Sequence, residues 1–173
     1  MTLADPTLLL LALFPAGVIV AALKDATSFT IPNWISGLIA AAFFPTALAA
    51  HLTLGAVELC LAAGGAALVA GIAMFALRWC GGGDAKLLAA SALWLGWQGM
   101  APFLLITGIA GGLLAAGLIT ARKNVLAGYA HAGPSWLERL LTPGADLPYG
   151  LAIAAGALAA FPSSILFEAL SRR

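Results

Sequence analysis

Asp25, in Leu23-Lys24-Asp25-Ala26-Thr27, and Asp84, in Gly81-Gly82-Gly83-Asp84-Ala85-Lys86, are acids in a 173-residue chain that is 62% hydrophobic and 9% charged. A carboxylate near lipid is costly, so its presence points to a function. Two carboxyls within reach of one water do not both ionise readily, and such a pair shares a proton near neutrality. That state suits peptide hydrolysis. The ionised acid takes a proton from water while the protonated one polarises the scissile carbonyl. Neither a metal nor an organic cofactor is required.

The elements that must carry these acids are helices. A spanning helix needs about 20 mostly apolar residues, and six stretches approach this: 7–24, 33–50, 55–77, 85–99, 101–121 and 149–168. They predict an all-α polytopic membrane protein, one domain over 1–173, with six transmembrane helices. Asp25 follows the first stretch and Asp84 precedes the fourth. Two spans lie between them, so the chain returns to the same membrane face and the carboxyls can meet. The fourth stretch is short, which leaves two readings open: Asp84 below the headgroups, or a locally thinned bilayer. Met1–Pro6 lacks the basic residues of a secretory signal, so the first stretch is expected to be a retained span.

Lys24, Arg78, Lys86, Arg122, Lys123 and Arg139 fall on one face of a six-span arrangement, and Arg172 and Arg173 on the other. The cation-rich face is expected to be cytoplasmic, with both termini outside the cytoplasm. Trp34, Trp79, Trp136 and Tyr149 map near the inner boundary, and Trp94 and Trp97 near the outer one, depths that amphipathic rings favour. A net charge of +1 and the lack of a basic tract give nucleic-acid binding no support. Cys60 and Cys80, at opposite ends of the third stretch, are too far apart to bridge. His51 and His131 do not form a metal-ligand pattern, and the cysteines read as small packing residues. Asp5, His51, Glu58 and Glu168 map to the outer side.

Each acid also has a plainer reading. Asp84 would cap the fourth helix, and Asp25 would be a loop acid beside Lys24. If both act as a pair, helix dipoles predict Asp84 to be the more acidic and Asp25 the more readily protonated. Pro32 suits the first turn of the second span. In the connection 122–148, Ser135-Trp136-Leu137-Glu138 matches a capping box and starts a short helix, with Leu137, Leu140 and Leu141 on one face, that Thr142-Pro143-Gly144 ends. It reads as an interfacial helix, either a connector or a substrate-docking element.

Asp25 followed by Ile31-Pro32-Asn33, then Gly81-Gly82-Gly83-Asp84-Ala85-Lys86, resembles the type IV prepilin peptidases, membrane aspartic proteases with a G-x-G-D motif. Gly81, Gly83 and Asp84 fill that motif, Lys86 continues it, and Pro148-Tyr149-Gly150 also resembles the family. The resemblance implies that Asp25 and Asp84 are the catalytic pair. It implies removal of the leader peptide of prepilins at the cytoplasmic face of the inner membrane, just before the substrate's apolar helix. Implied partners are the bilayer and a prepilin with a short basic leader. The paired C-x-x-C motifs of the long, methylating form are missing, so the resemblance is to the short form of tight-adherence (Flp-type) pilus systems, and methylation is not expected. Two alternatives stay open: a G-x-G-D protease for preflagellin or a general intramembrane target, and a small transporter or assembly scaffold.

Overall fold

A computed structural model describes residues 6–123, 135–142 and 144–171. Asp5, His131, Pro143, Arg172 and Arg173 lie outside them. The described chain is helical: α1 (Pro6–Ser28), α2 (Asn33–Ala49), α3 (Leu54–Ala76), α4 (Gly82–Lys123), α5 (Ser135–Leu141), α6 (Tyr149–Ala160), a 3₁₀ turn (Phe161–Ser163) and α7 (Ile165–Ser171). Three of these helices are long and apolar enough to cross a membrane: α1, α3 and α4. Taking α6, the 3₁₀ turn and α7 as one span bent by 45° gives a fourth. Their composition and length mark an integral membrane protein. At 17 residues, α2 is apolar but shorter.

The longest helix contains a break. Gly96 has φ 60 and ψ −172, outside helical geometry, a conformation that glycine adopts without a Cβ penalty. In a straight helix Asp84 and Gly111 would lie about 40 Å apart. Instead, Asp84, Ala85 and Leu88 share one hollow with Thr107, Gly111 and Ala115. The two arms, 82–95 and 97–123, therefore fold back on each other. The boundary expected between 99 and 101 falls at Gly96, and the first arm, about 21 Å long, is as short as its sequence predicts.

Three successive helices end in the same way. Phe29, His51 and Arg78 follow α1, α2 and α3, each with φ between 50 and 61. The Leu52 N–H donates to Ala47 O and the Trp79 N–H to Met74 O, while the Phe29 N–H donates to Asp25 O. These are the hydrogen bonds of Schellman and left-handed C-cap motifs, formed here without glycine.

The core is ring-rich. Trp94 is fully buried, stacks on Phe14 with centroids 5.1 Å apart, and donates its indole N–H to Ile39 O at 2.7 Å. The carbonyl of Ile39 thus satisfies the polar atom of Trp94 inside the bundle, two residues before the break at Gly96. Trp97, Trp34, Trp79 and Trp136 are exposed.

Candidate active site

Asp84 lies in the first turn of α4. It is the third helical residue rather than the N-cap, and its Oδ2 accepts the Gly81 N–H at 3.0 Å. This is the reach-back half of a capping box, which satisfies one of the donors exposed at every helix start. A Cβ at Gly83 would lie 3.0 Å from Ile31 Cβ and 3.3 Å from its backbone. Glycine at position 83 thus lets the start of α4 press against the residue before Pro32. Pro32 itself is the N-cap of α2 with φ −59, one position earlier than expected. Lys86 Nζ donates to Asn33 Oδ1 at 2.7 Å, tying the two motif segments together.

Asp25 differs from its sequence-based placement. The first helix runs on to Ser28, so Asp25 lies inside it. The Thr27 and Ser28 hydroxyls donate back to Leu23 O and Lys24 O, supplying the extra turn with polar partners. Its carboxylate, 5% exposed, faces another helix. Oδ2 accepts the Gly150 N–H at 2.8 Å, in the first turn of α6. Pro148, the N-cap of α6, offers no side-chain cap, so Asp25 supplies that acceptor from the other end of the sequence. The N-terminus of a helix favours negative charge. Asp84 sits at such a terminus, and Asp25, in the last turn of α1, also meets the N-terminus of α6.

The two carboxylates line one cavity of about 740 Å³ with Phe29, Arg78, Cys80, Asp146 and Tyr149. Of the three left-handed non-glycine residues among the described ones, Phe29 and Arg78 belong to this lining. Such conformations cost about 1–3 kcal/mol and gather at functional sites. Burial and the adjacent Asp84 carboxylate push the Cys80 thiol up, which keeps it protonated and a poor nucleophile. Both Cys60 and Cys80 are free. Among the described residues, no three His, Cys, Asp or Glu side chains gather so as to hold a metal ion.

The motif residues thus fall into two sets. Asp25, Asp84 and Gly81 line the cavity, whereas Pro32, Asn33, Gly83 and Lys86 lie outside its lining, at the contact between the starts of α2 and α4. His51, Glu58 and Glu168 are exposed and do not line it. Sequence reasoning missed two supports. The first is Gly150 as the donor to Asp25. A Cβ there would lie 2.8 Å from Oδ2, and only the Pro-Tyr-Gly run pointed toward it. The second is Arg122, whose guanidinium donates to Leu140 O, Ala145 O and Asp146 O at 2.9–3.2 Å. It fixes the end of α5 to the segment that forms the cavity wall. The predicted short helix is α5, with Leu141 buried and Trp136 exposed.

Compared with known proteins, residues 12–116 match the sequence model of the type IV leader peptidase family. The match covers both acids and stops before Tyr149 and Gly150. No curated protein and no solved structure matches the chain.

Proposed function

The chain belongs to the type IV leader peptidase family, and on that premise we propose that it is an aspartic endopeptidase whose catalytic pair is Asp25 and Asp84. The single observation that carries this reading is the shared cavity: two acids from distant parts of the chain open onto one solvent-sized space. One carboxylate takes a proton from water, and the water oxygen attacks the scissile carbonyl carbon. The other, protonated, donates to the carbonyl oxygen. As the tetrahedral adduct collapses, the C–N bond breaks, the proton held by the first acid passes to the leaving amine, and a hydroxyl proton of the adduct returns to the second acid, restoring the pair. Gly81 and Gly150 hold the carboxyls by single backbone N–H bonds, which leaves acceptor positions free on each for this traffic.

The substrate in this reading is a Flp-type prepilin, cut between its basic leader and its apolar helix at the cytoplasmic face of the inner membrane. Six crossings carry the site: α1, α2, α3, the two arms of α4, and α6 with α7, with both termini outside the cytoplasm. The fold-back at Gly96 supports this count, because it gives each apolar stretch its own helical segment. Arg78, at the cavity, and Arg122, bound to the cavity-wall segment, put basic residues at the acid end, which supports the inward orientation.

Co-expression with a Flp-type prepilin tests the assignment. Wild type is expected to release the leader, while Asp25→Asn and Asp84→Asn insert normally and leave it attached. Processing by either variant overturns the pair. The N-terminus of the product distinguishes a cut at the edge of the apolar helix from one inside it.

A further inference from the structure

A second hollow, of about 360 Å³, adjoins the acid cavity among α3, both arms of α4 and α6. Trp79, Cys80, Asp84 and Tyr149 belong to both hollows, so they meet at Asp84. Their chemistry differs. The acid cavity has Arg78, Asp25 and Asp146 in its wall, whereas the rest of the second wall is mainly Met74, Leu88, Ala115, Ile153 and glycine. Gly108 and Gly112 are exposed, and nothing lies within 4 Å of a Cβ built on either. The groove therefore opens on the outer surface of the bundle, which in a bilayer is the lipid side. Thr107 is also in this wall, and its buried Oγ1 has no hydrogen-bond partner. That oxygen is packed against the α6 backbone, where a Cβ built on Gly156 would collide with it. The volume is at the low end for ligand pockets, room for a few side chains and not for a whole helix.

We propose that this groove holds the first apolar residues after the scissile bond, which reach it sideways from the lipid. The proposal deepens the peptidase reading and rests on it. A polypeptide cut at Asp84 runs out of one hollow into the other. A substrate that changes from basic to apolar at the cut matches both, with its leader toward Asp146 and its apolar start in the groove.

The test uses the purified full chain in lipid nanodiscs with a Flp-type prepilin. Gly108→Leu and Gly112→Leu fill the groove from positions where the protein has space. Gly117→Leu is the control, an equally open position on the same helix outside the groove. Both groove variants are expected to raise KM about tenfold, with kcat and thermal unfolding close to wild type, while Gly117→Leu changes neither. Trimming the first two apolar substrate residues to alanine is expected to restore cleavage by Gly108→Leu. Should leucine disturb the fold, Gly108→Ala and Gly112→Ala give the same comparison with a smaller shift. Wild-type KM in both groove variants overturns the proposal, as it would if the groove holds only a lipid chain. An equal rise in Gly117→Leu overturns it too. Those results leave the peptidase reading standing, whereas failure of wild type itself to cut removes both.

Discussion

Along α1 and α4, roughly 15 Å from the two acids, lies a layer built by rings. Phe14 touches both Trp94 and Phe161, Phe43 meets Trp94 edge-on, and Phe167 packs on Phe161. Phe14, Phe43 and Trp94 are fully buried. At the acid end the same two helices frame a cavity, and glycines replace bulk at Gly83 and Gly150. Dispersion between close-packed atoms holds the first layer. A few directed hydrogen bonds from distant segments hold the second. In membranes, where lipid is as apolar as a core, packing of this kind carries most of the association of helices. The ring layer can thus maintain the bundle while the acid end stays open.

Substitutions at the two ends should separate these roles. The largest effect is expected from Asp84→Asn and Asp25→Asn, a loss of about 10⁴-fold in cleavage, the scale for removing one member of a catalytic unit. An asparagine oxygen still accepts the Gly81 or Gly150 N–H, so thermal unfolding in detergent should hardly move. A large drop in unfolding temperature would make the acids structural and break the contrast. Trp94→Ala should do the reverse. It opens a void, costing about 3–5 kcal/mol of stability, with activity per folded molecule nearly retained.

Gly150→Ala is expected to be smaller on both counts but to fall on the acid end. The methyl group displaces the Asp25 carboxyl by a fraction of an ångström, a shift that can cost about 10²-fold in rate. KM should stay near wild type, and an unaltered kcat would mean that this contact does not orient the acid. Smallest is Cys80→Ser. The thiol is held protonated by burial and by Asp84, so its thiolate appears only above the usual range. Alkylation should be slow at neutral pH and accelerate as pH rises, and cleavage should be within about twofold of wild type.

What the chain spells out locally proved readable, and what depends on long-range contact did not. The alternation of apolar stretches gave the helical segments, and counting them put Asp25 and Asp84 on one face, consistent with the cavity they share. For Trp94, sequence shows the ring's amphipathic character but not the carbonyl across the bundle that satisfies it. Asp25 was placed beyond its helix because Thr27 and Ser28 read as loop residues, although their hydroxyls bond back onto the last turn. The Gly150 donor belongs to a helix 125 positions away, and no local pattern reports such a partner. Arg122 was read as a topology signal, and its grip on three carbonyls became visible only with the wall segment in place.

The bond from Gly150 to Asp25 also sets an order of events during synthesis. A ribosome delivers both acids to the membrane long before it makes the residue that orients one of them. Until α6 inserts, the nascent polypeptide has its carboxyls without that restraint, so the orientation of Asp25 waits for a segment made well after both acids.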